Sequence, residues 1–297
     1  MENMASRLLM IGLFIFTGSL IADTPPLPGE FTRVGDLGPT PEHLHDDRPL
    51  SDQDNKGQWV LDPKFCDDFK ETSLDLDRWH LAPTAPEDWK GRLPALFMPS
   101  NVVLNHGMLE ITDRKGDVPE MAKYPGSGYK GYTTGFVETR ERSGYGYYEV
   151  KARPMNSGFC SAFWMTDTGL ADHGTEIDIF EIGAKAHGRE YDDNMTAHLW
   201  AIPVDHNHHS DVSRAWKAPW KLGDDFHVYG FEWNKDELRW YVDGVLVHTL
   251  KNTNWFFPMR IVFDSEPMWE WFGKADDADL PSTYSVQYLR VWRQSIP

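Results

Sequence analysis

A chain of 297 residues with 40% hydrophobic content can bury a sizeable core, enough for one large β domain or two smaller ones. Its formal net charge of −17 argues against nucleic acid as a partner, because phosphate binding needs clustered Lys and Arg. The aromatic load is heavy, with 13 Trp, 11 Tyr and 16 Phe, and surplus Trp suits a groove that holds sugars.

Arg7 precedes the apolar run Leu8–Phe16, and the small residues Thr17, Gly18 and Ser19 follow. This is the pattern of a secretory signal peptide, with cleavage after Ser19 or Ala22. Residues 1–22 are therefore expected to be removed, leaving a secreted or periplasmic protein with no membrane attachment; the alternative is an uncleaved anchor, although the apolar stretch is short for a span. Residues 23–56 are rich in Pro, Asp, Gly and His without periodicity, and read as a linker or an extended arm laid on the domain. Two cysteines, Cys66 and Cys160, can pair in an oxidising compartment or remain free; no Cys/His zinc pattern occurs.

From residue 57 to 297 the chain reads as one domain. Short alternating runs bounded by Gly, Asn, Asp or Pro recur, among them "NVVLN", "GMLEITD", "GFVETRER", "GYYEVKARP", "CSAFWMTD", "EIDIFEIG", "MTAHLWA", "FHVYGFEWN", "MRIVFD" and "YSVQYLRVWR". "ELRWYVDG" followed by "VLVHTLK" is a hairpin signal, with Asp243-Gly244 between the runs. No long segment has helical period. A dozen or so strands in one domain indicate an all-β fold of two packed antiparallel sheets, expected as a jelly-roll sandwich of the concanavalin A-like kind with a concave groove.

The stretch "GTEIDIFEIG", residues 174–183, carries three acids among Ile and Phe. As a strand it puts Glu176 and Asp178 on one face and Ile177 and Ile179 on the other. The acidic face is expected to reach solvent, because unpaired buried carboxylates are costly. A regular strand would send Glu181 into the core. One extra residue around Ile179–Phe180, a β-bulge, returns it to the acidic face. With that residue absorbed, Glu176 and Glu181 stand about four steps apart, roughly 13 Å of strand. Side chains leaning together would bring their carboxyls to roughly 5 Å, the spacing of retaining glycoside hydrolysis. Asp178 between them can hydrogen-bond the nucleophile and hold the acid's proton by charge repulsion. An exposed acidic face or a calcium site is the bland alternative, but the strand carries no Lys or Arg, and calcium sites prefer Gly- and Asn-rich loops.

These residues resemble glycoside hydrolase family 16, whose Glu-x-Asp-x-x-Glu signature lies on a bulged jelly-roll strand. The resemblance implies Glu176 as nucleophile, Asp178 as assisting acid and Glu181 as acid/base. It extends over roughly 59–293 through "YTTGFVETRERSGYGYYEVKARP", "SAFWMTD", "FHVYGFEWNKDELRWYVDGVLV" and "YLRVWR". By resemblance Trp164 lies under the central sugar. "DWKGRLPALFMPSNVVLNHGMLEIT" is most similar to the agarase and porphyranase side of the family, which acts on red-algal galactans. The implied protein is a secreted, retaining endo-glycosidase acting on a polysaccharide as a monomer. Alternatives are a laminarinase-type β-1,3-glucanase or a carrageenan or furcellaran hydrolase, and, in another class, a jelly-roll binding module without catalysis.

Other candidates flank the motif. His198 in "MTAHLW" faces the same groove if its strand pairs with the acidic one. Trp89 and Arg92 in "DWKGRLP" can stack a sugar and grip hydroxyl or sulfate oxygens. Glu266, Trp269 and Trp271 in "DSEPMWEWFG" read as a late loop bearing a sugar platform. Arg140 and Arg142 would face alike in a strand, both toward the groove or both away. "HNHH", residues 206–209, reads as an exposed polar loop rather than a metal site. No cofactor is implied. Relatives of this type carry a structural calcium with an Asp ligand in the last strand; Gln287 stands there, which puts calcium in doubt.

Overall fold

The computed structural model describes residues 43–167, 173–201 and 205–295. The signal-like segment and most of the proposed arm lie outside the described residues. Two sheets form a β-jelly-roll sandwich, as the strand pattern predicts. The seven-stranded sheet runs, in spatial order, Asp205–Lys217, Asp192–Ala201, His173–Ile182, Cys160–Asp167, Arg260–Glu266, Phe136–Thr139 and Trp79–Leu81. The ten-stranded sheet places Gly146–Arg153 and Ser282–Gln294 at its centre, with His227–Trp233 and Met108–Lys115 beside them. Pairing is antiparallel throughout except between Ala95–Phe97 and Tyr132–Thr134.

The core fills the space between the sheets. Ile177, Ile179, Phe180, Ile182, Phe163 and Phe263 from one sheet join Tyr148, Val150, Tyr229, Phe231, Trp240 and Leu289 from the other in a single cluster. Phe180 and Tyr229 meet across it with ring centroids 4.5 Å apart. Asp243 and Gly244 have φ of 48° and 76°, the two positive values that a type I′ hairpin requires.

One expectation is corrected, and one open alternative is resolved. The "HNHH" segment is not a loop but part of the edge strand Asp205–Lys217, whose first six side chains lie outside the described residues. An edge strand buries too little to need apolar alternation, so its sequence carries no strand signal. Cys66 and Cys160 are both free. Cys160 is enclosed with Ala162, Ala186 and Phe272, while Cys66 sits against the backbone of Asp62 and Val291.

Residues 43–56 lie on the outer face of the ten-stranded sheet. The anchor is Glu149, fully buried there, which accepts from the Leu50 N–H at 2.8 Å and the Tyr288 hydroxyl at 3.1 Å and meets His43 Nε2 at 2.7 Å. The Trp292 indole N–H donates to Asp47 O. Glu149→Ala would leave the Leu50 and Tyr288 donors unpaired in a buried site. We expect it to lower unfolding stability by about 2–3 kcal/mol in urea titrations and to open residues 43–52 to protease.

Candidate active site

The bulge is present, and both neighbouring strands register it. Against Cys160–Asp167, Asp178 pairs with Trp164 and Phe180 with Phe163, so Ile179 is the extra residue. Against Asp192–Ala201, Asp178 pairs with Thr196 and Glu181 with Asn194. Ile179 and Phe180 consequently both turn into the core, and Glu181 joins Glu176 and Asp178 along a single cleft.

A bulge removes backbone groups from the ladder, and buried carbonyls need other donors. Here the carbonyl of each acid has one. The Trp255 indole N–H lies 3.0 Å from Glu176 O, and equally from His198 O. Trp240, reaching across from the other sheet, donates to Asp178 O at 3.0 Å. Asn194 Nδ2 donates to Glu181 O at 2.9 Å. None of these three residues stands out in the sequence. Only the third dimension shows where the N–H groups of Trp240 and Trp255 point.

The cleft has a volume of about 1230 Å³. Its floor is the outer face of the seven-stranded sheet, and its walls come from residues 87–93 and 267–271. Trp164 lies on the floor, with its Nε1–H donating to Asp264 Oδ1 at 2.9 Å. His198 pairs in register with Glu176, so the conditional expectation for it holds; its Nε2 lies 3.0 Å from Asp178 Oδ2 and 3.9 Å from Glu176 Oε1. Asp178 is thus partnered by His198. Trp89 is 40% exposed on one wall, held edge-on by Phe97 and Phe136, and Trp271, 47% exposed, lines the opposite one. Trp269 also lines the cleft but leans on Tyr132 and the core. Arg92 Nε contacts Glu266 Oε2.

Three placements differ from expectation. Arg140 does not line the cleft; its Nε donates to Leu76 O. Arg142 does line it, paired with Asp167 at 3.0 Å. The strand Phe136–Thr139 ends before both, so strand alternation does not govern them. Glu266 is the last residue of the strand Arg260–Glu266 rather than part of a loop, and the Trp pair follows on the short helix Trp269–Phe272. The acidic face is less open than expected: Asp178 and Glu181 are only 3% and 6% exposed, sunk into the floor. Asp264 is a further acid of the site, and alternation along "RIVFDSE", which sets it beside Glu266 on one face, is the signal that could have found it.

A family model described as "Beta-porphyranase A-D, GH16 domain" matches residues 59–294. The chain belongs to glycoside hydrolase family 16. It is 32% identical over 202 residues to beta-porphyranase B of Zobellia galactanivorans, an alignment covering 63% of this chain and 67% of that protein. It is 25% identical over 275 residues to the kappa-carrageenase of Pseudoalteromonas carrageenovora, covering 79% and 64%. Its fold is that of beta-agarase A from Zobellia galactanivorans, with a TM-score of 0.67, 20% identity, and coverage of 85% of this chain and 98% of that one.

The floor of this glycoside hydrolase concentrates carboxyls, and burial governs their protons. Glu181 is pushed well above the usual carboxylate range by burial, then by the charges of Asp178, Glu176 and Glu266, with Arg92 opposing. Its Oε2 is buried without a hydrogen-bond partner among the described residues. Glu176 is pushed up to about 8 by burial and Asp178, and His198 pulls it back down. Its side chain keeps 20% exposure to the cleft, so water can still stabilise its charge, and Glu181 is the stronger proton holder of the two. Burial alone would lower His198, but its bond to Asp178 and the nearby charges of Asp178 and Glu176 carry it to about 9. At neutral pH His198 is therefore a cation set between two acids. One ligand atom from each of Glu176, Asp178 and His198 falls within 4.8 Å of the others. A protonated His198 donates to Asp178 and has no lone pair on that nitrogen for a metal.

Two outcomes follow from this geometry. His198→Ala removes the cation that lowers Glu176, so the acid limb of the kcat/KM–pH profile should move to higher pH, with activity below the limb falling about tenfold per pH unit of displacement. Trp240→Phe leaves Asp178 O without its donor; it should cost about 1–3 kcal/mol of stability by denaturant unfolding and lower kcat by about tenfold or more, because small misplacements of reacting groups are expensive in rate.

Proposed function

We propose that this protein is a secreted, retaining endo-glycosidase that hydrolyses a β-linked galactan of the red-algal agarose and porphyran type. The observation that carries the reading is the bulge at Ile179, which brings a partly exposed Glu176 and a buried, proton-holding Glu181 onto one cleft floor. The match to the porphyranase domain model, and the porphyranase, carrageenase and agarase names of its relatives, support the substrate class.

In this reading Glu176 attacks the anomeric carbon as a carboxylate, while Glu181 gives its proton to the departing glycosidic oxygen. Forming the glycosyl ester removes the charge on Glu176, one of the charges that hold the Glu181 proton. With that charge gone Glu181 holds a proton less tightly, so it stays ionised after protonating the leaving group and is free to take a proton from the incoming water. That water releases the sugar with retained configuration. Asp178, tied to His198, supplies the fixed negative charge that keeps Glu181 protonated before attack. Trp164 carries the central sugar on the floor, and the exposed faces of Trp89 and Trp271 extend the platform to the walls.

No cofactor enters this chemistry. Gln287 lies at the register shift between Val286 and Tyr288 and offers an amide where a calcium site would want a carboxylate, so we assign no calcium there. The N-terminal signal pattern supports an enzyme of the periplasm or the medium.

The decisive experiment is a reducing-sugar assay on agarose, porphyran, carrageenan and laminarin, with the product anomer followed by NMR. We expect cleavage of a galactan with the β anomer formed first. Glu176→Gln and Glu181→Gln should each lose about 10³-fold or more in kcat. Cleavage of laminarin alone would remove the galactan reading, and binding without cleavage of any substrate would make this a carbohydrate-binding protein.

A further inference from the structure

We propose that Asp264 is a positioning residue for this reaction: a neutral carboxylic acid that fixes the ring of Trp164 and, through Glu266, steadies the guanidinium of Arg92. The proposal rests on the reading above that Trp164 carries sugar in the cleft.

Asp264 is fully buried in the strand Arg260–Glu266. Glu181 pairs in register with Ala162, and Ala162 pairs with Asp264, so the two carboxyls occupy one cross-strand row with only a methyl side chain between them. Asp264 Oδ1 accepts the Trp164 indole N–H at 2.9 Å. Asp264 Oδ2 is equally buried, yet no donor among the described residues reaches it. An ionised carboxylate so placed would carry a charge met by one hydrogen bond. Glu266 is two residues along the same strand, hence on the same face, and is already engaged by Arg92.

A proton on Oδ2 resolves the arrangement. The Asp264 O–H then donates to Glu266, whose carboxylate lies between a neutral acid and a guanidinium. Burial pushes Asp264 well above the carboxylate range and Glu266 adds to the push, whereas the bond from Asp264 acts on Glu266 in the opposite sense. Both effects put the shared proton on Asp264. The other groups facing it are Glu181 across Ala162 and the neutral Cys160 and Tyr284, with Arg92 a cation that opposes protonation. Arg92 is committed to Glu266. Trp164 pairs in register with Asp178, so the tilt of its ring sets the surface beneath the reacting sugar.

The test compares Asp264→Asn, Asp264→Ala and Glu266→Gln in kcat, KM and pH profile on the galactan that the enzyme cleaves. Asn reproduces the acceptor and donor of a neutral acid, so it should keep kcat/KM within about threefold and leave the alkaline limb in place. Ala strands the Trp164 N–H and should raise KM about tenfold with a smaller change in kcat. Glu266→Gln removes one of the charges that raise Glu181, so its alkaline limb should move to lower pH. An Asp264→Asn enzyme whose alkaline limb falls as it does in Glu266→Gln, or one as impaired as Asp264→Ala, overturns the proposal. Infrared difference spectroscopy reads the protonated carboxyl directly and needs no substrate. Glu181 contributes a protonated-carboxyl band of its own, so one component should vanish in Asp264→Asn and the other remain; a wild-type band unchanged in Asp264→Asn would defeat the proposal even if galactan is cleaved. Failure to cleave any galactan strikes the substrate reading instead, and the infrared result still decides Asp264.

Discussion

Everything in the cleft depends on one extra residue. Ile179 has no partner in the strand beside it, and its insertion turns two successive side chains, Ile179 and Phe180, toward the core. The phase of the strand then resumes with Glu181 on the other face. A bulge of this kind persists only if its freed backbone groups are satisfied. Trp240 and Asn194 do that at Asp178 O and Glu181 O, and Trp255 adds a donor at Glu176 O in the register-paired part of the strand. The apolar anchor and the indole donors belong to the same core cluster and pin the same short segment from within the sandwich. The acids are therefore placed by rigid packing and need no flexible loop.

Holding so many carboxyls together has a consequence for charge. Glu176, Asp178, Glu181, Asp264 and Glu266 share one floor, with Arg92 and His198 as the cations that contact them. Burial prevents all five from ionising at once. Protons are retained where solvent and donors are scarcest, at Glu181 and Asp264, each with an oxygen that has no hydrogen-bond partner among the described residues. Charge is retained where a cation or water stands by: His198 beside Glu176, Arg92 against Glu266. The difference in proton affinity between Glu176 and Glu181 thus follows from differences in burial along a single strand face.

How much of this is legible in the sequence differs from residue to residue. Alternation in "EIDIFEIG" locates the acidic face, and the out-of-phase Glu181 announces the bulge from the residue pattern alone. The pairing of His198 with Glu176 is conditional on strand order, which local pattern cannot supply. Alternation misplaces Arg140 because the strand ends at Thr139, and element ends are weakly encoded. The edge strand Asp205–Lys217 escapes notice in the sequence because, over Asp211–Lys217, Trp216 alone is buried and no alternation results.

By itself, then, the sequence determined the class of fold, the strand that carries the chemistry and the break in its phase, because these rest on two-residue periodicity between neighbours in the chain. Only the tertiary structure decided which residues from distant strands serve that segment. Trp240, Trp255 and Asp264 lie far from Ile179 along the chain and Asn194 on the next strand, and what each contributes is the direction of one polar group. That direction is set by sheet order and by packing across the sandwich, which no local pattern records.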